Sequence, residues 1–496
     1  MIFRPKLPCR LWDTWLFPWK GEFHLFYLET TGDQVWDRVG HVVSRDMLHW
    51  EERPHVKTRG LAGTWNDSPT FTGMTVEHEG RFYLFAGANP GGVEVVGIYV
   101  SDDLDHWREY DGNPVMRPQA PHYRVAPTPG VSNQEVDFRD PCVFRDPVDG
   151  MFHAVLCARA GEPGVEGTGA AFAHYRSPDL FRWEAMLPLA VVGDRFYHAE
   201  VPDVFCMNGT HYIIFSTMSF PLRIDTPSRE AATGSFYLMG GRDFREPYRL
   251  PADPLLVGSG GYAGYRLGAY VLRTIPWKDG RLAYHIVNAN PPVWGIPKMV
   301  CQQADGTLGL GYLPLMEGLE TRTVVGSAGD VRLDGAVANF GAWRRDRNGL
   351  TGRAGAGAAR LTVARGVPDC HISVRITGGT AERAGVCFKI DDREMALLYL
   401  DYTRNELYVG AGKLNAPWGL ELFPAQDRAR RPLKRDVSCN LRVFVRDQHV
   451  EAYLDDRWVF TYVLGGDAKA DGVGLLVHRG ESRFDELRVA AIESLS

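Results

Sequence analysis

Apolar and polar residues alternate along most of the chain, and glycine turns interrupt the alternation. In the first two thirds, five short phrases share one form, a glycine followed by alternating aromatic and aliphatic residues. They begin at Gly21 (GEFHLFYL), Gly80 (GRFYLFAG), Gly150 (GMFHAVLC), Gly209 (GTHYIIFS) and Gly280 (GRLAYHIV). This form is typical of a half-buried β-strand leaving a tight turn. The pattern therefore predicts five equivalent β-strands.

A second phrase follows three of the glycine phrases: GHVVSRDMLHWEE, GIYVSDDLDHWRE and FAHYRSPDLFRWEA. Each reads as a strand, a Ser-Asp or Ser-Pro-Asp turn, and a short aromatic strand. Successive glycine phrases lie about 60 to 70 residues apart, and no strong amphipathic helix is indicated between them. Four strands per unit, repeated five times, predict a five-bladed β-propeller.

The last third of the chain has a different rhythm, which starts near residues 326–335. Segments such as HISVRITGG, AGVCFKID, MALLYLDYT and NELYVGAG alternate regularly and are separated by turns, which predicts a jelly-roll-like β-sandwich. We place the propeller at residues 1–325 and the sandwich at residues 326–496. The Gly- and Ala-rich piece GLTGRAGAGAARLTV is interpreted as a loop and edge strand of the sandwich. Its main loop aromatics, Trp418 and Trp458, are too few for a sugar-binding surface, so we expect this domain to pack against the propeller.

Carboxylates precede four of the glycine phrases, in the strand that a propeller places beside its axis. They are Asp13 (LWDTWLF), Asp67 (WNDSPTF), Asp140 (FRDPCVF) and Glu200 (AEVPDVF), each about 8 to 13 residues before its glycine. We expect the four to occupy equivalent positions in successive blades and to face one cavity. Carboxylates crowded around one axis repel one another and set their pKa values apart. That arrangement is typical of a glycosidase.

Two of these segments resemble motifs of glycoside hydrolase family 32, whose members act on β-fructofuranosides. FRDPCVFRDPVDGMFHAVL resembles the family's Arg-Asp-Pro segment, and EVPDVFCMNGTHYIIFS resembles its Glu-Cys-Pro-Asp segment with Val201 replacing Cys. LRVFVRDQHVEAYLDDRWVF resembles a strand pair of the sandwich that follows the family's propeller. The resemblance covers essentially the whole chain and implies a hydrolase of O-glycosyl bonds.

The first motif departs from the family pattern. The chain reads Trp12-Asp13-Thr14-Trp15, whereas family 32 usually carries Asn-Asp-Pro-Asn-Gly. This is closer to the Trp-Asp-Ser-Trp of the related family 68. Phe26-Tyr27 is followed by Leu28 rather than the family's Gln. Both changes fall on groups that would touch the sugar. The resemblance therefore implies the reaction more strongly than it implies the substrate.

By resemblance, Asp13 is the nucleophile, Glu200 the general acid and base, and Asp140 a binder of sugar hydroxyls that stabilises the transition state. A retaining glycosidase needs one ionised carboxylate and one protonated carboxyl about 5 Å apart. We expect Glu200 to be the group of raised pKa, because Asp203 is nearby and Val201-Pro202 is an apolar flank.

Other residues near these motifs are candidates for binding the sugar. Arg139 would hold a hydroxyl or keep the neighbouring Asp140 ionised. Asp67 is either a substrate ligand or the cap of a turn. Three tryptophans would form an apolar platform for a furanose ring, or else pack between blades: Trp12, Trp15 and Trp65.

Composition agrees with a large all-β protein of two domains. The chain has 496 residues, of which 45% are hydrophobic, and its 54 glycines and 31 prolines supply many turns. A net charge of -6 offers no basic surface, so nucleic acid is not expected as a partner. Eight scattered cysteines without a Cys-x-x-Cys pair indicate neither a zinc site nor a disulfide framework. The chemistry requires no cofactor and no metal.

No apolar run of signal-peptide length precedes Asp13, and no apolar stretch of about 18 residues occurs anywhere. We therefore predict a cytoplasmic protein without a membrane segment. A polymer such as levan would not reach it there, so the predicted substrate is a short oligosaccharide or a disaccharide. The pattern predicts no oligomeric state.

Three functions fit these observations. The first is a retaining glycoside hydrolase that releases fructose from short β-fructofuranosides. The second is a relative with a different product or substrate, either a fructosyl transferase forming a difructose dianhydride or a glycosidase of another furanoside such as an arabinofuranoside. The third is a non-catalytic sugar-binding protein. The altered first motif keeps the second open, and the presence of all three acids argues against the third.

Overall fold

The computed structural model describes residues 2–31, 34–126, 136–161, 169–218, 224–231, 233–259, 268–333, 341–391, 394–415, 419–422, 427–464 and 470–495. Within them, the chain is almost entirely β-strand. Its helical elements are short 3-10 turns at Pro90–Gly92, Met316–Leu319 and Ala328–Asp330. Across these ranges, no helix has the length and apolar character needed to cross a membrane.

Five antiparallel sheets surround one axis, as the repeat predicted. The first contains β1 (Arg10–Trp19), β2 (Glu22–Thr31), β3 (Gln34–Ser44), β4 (Glu51–Glu52) and β5 (Val56–Lys57). The second contains β6 (Phe71–His78), β7 (Arg81–Ala88), β8 (Val95–Ser101) and β9 (Arg108–Glu109). The third contains β10 (Phe138–Arg145), β11 (Phe152–Ala160), β12 (Gly169–Ser177) and β13 (Glu184–Val191).

The fourth sheet contains β14 (Glu200–Met207), β15 (Thr210–Met218), β18 (Thr233–Met239) and β19 (Leu255–Ser259), with β16 (Ile224–Asp225) and β17 (Glu230–Ala231) forming a separate hairpin. The fifth contains β20 (Gly268–Trp277), β21 (Gly280–Asn288), β22 (Val293–Trp294), β23 (Lys298–Gln302) and β24 (Leu308–Gly311). The inner strands β1, β6, β10, β14 and β20 contact one another in a closed ring. The five-bladed propeller is therefore confirmed.

The turn glycines act as the sequence predicted in four of the five phrases. Gly21, Gly80, Gly150 and Gly209 have φ angles of 86°, 79°, 73° and 76°, a region that side chains with a Cβ rarely adopt. Gly280 differs, because it already belongs to β21. There, Lys278 adopts the left-handed conformation, with a φ of 49°.

The remaining strands build the sandwich. They are β25 (Glu320–Val325), β26 (Ala342–Arg345), β27 (Gly349–Ala364), β28 (Cys370–Thr377), β29 (Arg383–Ile390), β30 (Glu394–Asp401), β31 (Glu406–Asn415), β32 (Gly419–Leu422), β33 (Asp427–Arg430), β34 (Cys439–Arg446), β35 (His449–Leu454), β36 (Arg457–Val463) and β37 (Gly472–Ile492). The first half of β37 pairs with β29 and its second half with β28. The Gly- and Ala-rich piece is the long strand β27. The strand β25 already pairs with β37, so the change of domain lies before residue 320 rather than at the predicted 325/326 boundary.

The propeller and the sandwich are joined by pairing and by packing. Gly311 of β24 pairs with Arg457 of β36, so the outer edge of the fifth blade continues into the sandwich. From the fourth blade, the buried Arg229 places its guanidinium 5.1 Å from the ring of Trp458. Trp458 therefore packs in the interface, as expected of this domain, while Trp418 lies outside the described residues.

A buried ion pair crosses the same interface. Lys298 of β23 lies 2.5 Å from the carboxylate of Glu451 in β35, and both side chains are fully buried. The Lys298 ammonium also contacts His285 Nε2 at 2.7 Å and donates to the carbonyl of Ile296 at 2.8 Å. Tyr453 donates a hydrogen bond to Glu451 at 2.9 Å. Because a buried charge is tolerated only when it is paired and hydrogen-bonded, each domain depends on the other at this point.

Glu451→Gln should lower the free energy of unfolding of the whole chain by about 3–5 kcal/mol, because it leaves the Lys298 charge buried without its counter-ion. Urea unfolding of the variant measures this loss. Adding Lys298→Met should recover part of the stability, since the second change removes the unpaired charge. If the losses in free energy of unfolding of the two single variants simply add in the double variant, the two residues are not coupled.

Candidate active site

The inner strand of every blade carries a β-bulge at the same level. Pairing with the second strand shifts between Leu11 and Thr14, Phe71 and Met74, Arg139 and Cys142, Glu200 and Asp203, and Tyr270 and Arg273. A bulge inserts an unpaired residue and re-aims the neighbouring side chains. At three of the bulges the inserted backbone is left-handed, with φ angles of 57° at Asp140, 48° at Val201 and 54° at Val271. These local distortions bring side chains from different blades to one place on the axis.

That place is a cavity of about 340 Å³, and all three predicted catalytic acids line it. Asp13, Asp140 and Glu200 share it with Trp12 and Arg139, which were also predicted to belong to the site. The three acids do not occupy equivalent positions, so that part of the prediction was wrong. Asp140 is the first residue within its bulge, Asp13 is the second, and Glu200 is the last paired residue before the bulge.

Asp13 is buried and is held from one side only. Its Oδ2 accepts a hydrogen bond from the hydroxyl of Thr72, whereas Oδ1 has no hydrogen-bond partner among the described residues. Burial raises the pKa of Asp13 to about 7. The hydrogen bond from Thr72 opposes this rise, and the negative charge of Glu200 adds to it. Oδ1 is thus a buried oxygen without a hydrogen bond, which also disfavours the ionised form of the carboxyl group.

Glu200 is bound at both oxygens. Arg139 donates from Nη2 to Oε1 at 2.8 Å, and the Tyr270 hydroxyl donates to Oε2. Burial alone would raise the pKa of Glu200, but the charges of Arg139 and His198 and the hydrogen bond from Tyr270 outweigh it, so the pKa is lowered. The expected raised pKa of Glu200 was therefore wrong, because the apolar flank of Glu200 counts for less than the guanidinium beside it.

Arg139 is the main counter-ion of the cavity. Besides Glu200, its Nη1 lies 2.7 Å from Asp137 and 3.1 Å from Glu94, and its Nε lies 3.6 Å from Asp140. Burial raises the pKa of Asp140 well above its usual range despite the positive charge of Arg139. The prediction that Arg139 keeps Asp140 ionised was therefore wrong, since Arg139 binds three other carboxylates more closely. Asp140 instead accepts the backbone N–H of Val201 at 3.1 Å.

About half of the chain matches a known protein family. Residues 15–253 match the model of the glycosyl hydrolases family 32 N-terminal domain. The chain carries a family 32 domain. The predicted Arg-Asp-Pro and Glu-x-Pro-Asp segments, which contain Asp140 and Glu200, both fall within the matched residues.

Individual relatives of the family 32 domain are distant. An acid beta-fructofuranosidase 2, vacuolar, from a Rosa hybrid cultivar is 27% identical over 179 residues, which cover 34% of this chain and 25% of that protein. A sucrose-6-phosphate hydrolase from Zymomonas mobilis is 28% identical over 215 residues, 40% of this chain and 38% of that protein. The chain thus spans a quarter to two fifths of the length of these relatives. The solved exo-inulinase of Aspergillus awamori has the same fold, with a TM-score of 0.69 and 18% identity over 99% of this chain and 98% of its own.

The three tryptophans predicted to contact the sugar divide into two groups. Trp12 lines the cavity and stacks on Trp36, with ring centroids 6.4 Å apart. Trp15 is 2% exposed and donates to Thr75 at 3.1 Å in the neighbouring blade. Trp65 donates to Glu109 within its own blade. Of the three, Trp12 is placed where it could contact a ligand, and the other two pack the blades, the alternative that the sequence left open.

Two acids of the sequence prediction lie away from the cavity. Asp67 sits in a turn before β6, where its Oδ2 accepts the N–H of Gly63 at 2.9 Å. This is the turn-capping alternative, and Thr72 takes the place in the second blade that was assigned to Asp67. Asp203 accepts the N–H of Thr274 at 2.9 Å and lines a second cavity of about 1020 Å³ at the other end of the axis. It therefore does not act on Glu200 as a near neighbour.

Arg273 lies between the two cavities. It is 2% exposed, and it donates to the carbonyl of Gly73 at 2.7 Å and to that of Pro141 at 3.4 Å, so it ties the bulges of three blades together. Its positive charge also lowers the pKa of Asp13 from the side opposite to Arg139.

In the described part of the chain, one cluster of carboxylate and imidazole side chains has the spacing of metal ligands. It lies beside the second cavity. It consists of Asp146, Asp149 and His153. Arg245 approaches Asp146 to 2.5 Å and Asp149 to 3.3 Å, so a cation already occupies this acidic cluster.

Sequence reasoning missed six polar residues of this cavity whose side chains can form hydrogen bonds. They are Thr72, Asn89, Glu94, Asp137, His198 and Tyr270. Thr72 and Tyr270 stand at the bulges of the second and fifth blades, so aligning the inner strands on their bulge positions would have indicated them. The others come from loops and strand ends, for which the repeat gives no signal.

Asp13→Asn should stabilise the fold at neutral and higher pH. Because the native pKa of about 7 exceeds the ordinary value of 3.8, the native state keeps a proton that the unfolded chain releases. Stability contributed by this group is therefore lost as pH rises from about 4 to about 7. Asn does not titrate, so the advantage of the variant should grow by about 2 kcal/mol between pH 5 and pH 8. Urea unfolding of both proteins at the two pH values measures it. A pH-independent difference would show that Asp13 is ionised throughout.

Tyr270→Phe should change one limb of the pH dependence of kcat/KM. The lost hydrogen bond stabilised ionised Glu200, so its pKa should rise. In the free protein Glu200 has the lower pKa and Asp13 the higher one. The acid limb should therefore move to higher pH while the basic limb stays in place. Movement of the basic limb instead would assign the higher pKa to Glu200.

Proposed function

We propose that the protein is a retaining glycoside hydrolase that releases fructose from short β-fructofuranosides. The observation that carries this proposal is the meeting of Asp13 and Glu200, from inner strands of different blades, in one cavity of about 340 Å³. The family 32 domain and the names of its relatives support the fructoside as substrate. Since the alignments cover a minor part of those relatives, the substrate stays a proposal.

In the first step, a carboxylate oxygen of Asp13 attacks the anomeric carbon and the bond to the leaving oxygen breaks. The electron pair of that bond passes to the oxygen, which takes the proton of Glu200. Thr72 donates to Oδ2 of Asp13, so the carboxylate is oriented before substrate arrives. The products of this step are a glycosyl ester on Asp13 and a free alcohol or sugar.

In the second step, Glu200 acts in reverse. Its carboxylate removes a proton from water as the water oxygen attacks the anomeric carbon, and Asp13 leaves as the carboxylate. Arg139 and Tyr270, which bind Glu200 in its charged form, favour this stage of the cycle. Asp140, whose pKa is raised by burial, supplies a carboxyl that can donate to a sugar hydroxyl as well as accept from one.

The first step needs the proton on Glu200 and the charge on Asp13, whereas the surroundings of the two groups favour the proton on Asp13 and the charge on Glu200. The two groups are electrostatically coupled, since the charge of Glu200 raises the pKa of Asp13. Between their two pKa values the pair holds a single proton, so the reactive form differs from the resting form only by the position of that proton. Substrate that contacts Arg139 or Tyr270 would loosen their hold on Glu200 and favour the reactive form.

The size of the cavity, about 340 Å³, supports a small sugar unit rather than the middle of a polymer. Its walls include the aromatic side chains of Trp12, Trp36 and Phe71. We also propose that the protein is cytoplasmic, which would limit it to imported disaccharides and short oligosaccharides.

The alternatives are not favoured by a particular observation. Formation of a difructose dianhydride requires a second sugar to replace water in the second step, and an arabinofuranosidase would use the same acids. A non-catalytic binder would not need two carboxyl groups with opposite pKa shifts in one cavity.

A proton NMR time course with sucrose, 1-kestose and aryl arabinofuranosides tests the proposal. Fructose released first with retained configuration is the expected result. A dianhydride or a longer oligosaccharide would move the protein to the transferases. Cleavage of the arabinofuranoside alone would overturn the choice of substrate while leaving the acids in place.

The same assay tests the roles of the acids. Asp13→Asn should lower turnover of sucrose by about 10³-fold or more, because the covalent intermediate cannot form. Glu200→Gln should lose a similar factor on sucrose but release fluoride from β-fructofuranosyl fluoride in a rapid burst, because fluoride needs little protonation to leave. Asp67→Asn, outside the cavity, is the control and should stay within about twofold of the parent protein. A burst from Asp13→Asn, or none from Glu200→Gln, would reverse or remove the assigned roles.

A further inference from the structure

Tyr197 is an exposed aromatic side chain beside the catalytic cavity. It lies in the loop between β13 and β14, and half of its surface is exposed to solvent. In the described part of the chain it is the one aromatic residue among the exposed large apolar side chains. A single exposed apolar residue is ordinary in itself, but an aromatic ring beside a cavity offers a flat apolar surface to a ligand.

The ring of Tyr197 is fixed by its neighbours. The guanidinium of Arg159 lies 4.7 Å from its centroid, and the ring of His198 lies 4.3 Å away at 83°, in an edge contact. The preceding residue, Phe196, is buried against Phe215 and Phe236 at 4.9 and 5.1 Å. The loop is therefore anchored before any ligand binds, and a ligand would not have to order it.

The fixed ring adjoins the part of the cavity wall that contains the proposed acid. His198 lines the cavity and contacts both Asp137, at 3.2 Å, and Arg159, at 3.3 Å. Tyr197 contacts the His198 ring and lies just outside this wall. Under the proposed function, Glu200, two residues after His198, donates its proton to the leaving oxygen. A sugar attached through that oxygen would lie near Glu200 and His198, and Tyr197 is the exposed aromatic ring of this region.

We propose that Tyr197 is the platform on which the leaving sugar rests, and that it makes the protein selective for leaving groups that are themselves sugar rings. The apolar C–H face of a hexose ring packs on an aromatic face, while the ring hydroxyls remain in water. An alcohol such as methanol has no such face and gains nothing from Tyr197. This inference rests on the proposed function, and it names the part of the substrate that the catalytic cavity does not enclose.

The test compares sucrose with methyl β-D-fructofuranoside, which share the fructosyl group and differ in the leaving group. Tyr197→Ala should lower kcat/KM for sucrose about tenfold, equivalent to about 1.4 kcal/mol, through a higher KM. Its kcat/KM for the methyl fructoside should stay within about twofold. Tyr197→Phe, which keeps the ring, should behave like the parent protein on both substrates. Leu187→Ala, at a side chain that is 70% exposed on an outer strand, is the matched surface control.

An equal fall on both substrates would overturn the platform, since it would show that Tyr197 only supports the loop carrying His198. An unchanged ratio of kcat/KM for the two substrates would overturn it as well. If the parent protein cleaves methyl fructoside but Tyr197→Ala does not alter the preference for sucrose, the proposed function stands and this inference fails. If the parent protein cleaves neither fructoside, both fail together.

Discussion

The electrostatic balance around the propeller axis is the constraint on which the site depends. Five carboxyl groups, from Asp13, Glu94, Asp137, Asp140 and Glu200, line one small buried cavity. Ionised together, they would repel one another strongly in a medium of low dielectric constant. Arg139 binds three of them closely, and burial keeps the proton on Asp13 and Asp140 through much of the acid range. The fold tolerates this cluster only because some of the carboxyl groups are ionised and others are protonated. Chemically identical groups can therefore have different roles.

The repeated bulge shows how a symmetric scaffold produces an asymmetric site. Every inner strand is interrupted at the same level, yet the residues offered there are Asp13, Thr72, Asp140, Glu200 and Tyr270, from three different positions around the bulge. A one-residue shift around a bulge changes which side chain reaches the axis. Repeats of one backbone design can therefore diverge in chemistry without any change in blade packing.

The fold and the three acids could be predicted from sequence because both depend on local patterns. Alternation and turn glycines mark strands within a few residues, and the strand before each glycine phrase is innermost by the logic of the propeller. The finer features depend on contacts between blades, which local patterns do not contain. Trp12 and Trp15 are three residues apart, but the bulge between Leu11 and Thr14 sends one to the cavity and the other into the core. The pKa of Glu200 was misjudged for the same reason, since Arg139 and Tyr270 reach it from the neighbouring blades on either side.

Arg273 links the spacing of the blades to the protonation of the acids. Its guanidinium donates to the carbonyls of Gly73 and Pro141, so a side chain of the fifth blade holds the bulges of the second and third blades. The same positive charge lowers the pKa of Asp13. A change that moves these blades apart would therefore also change the proton affinity of Asp13, since one side chain carries both effects.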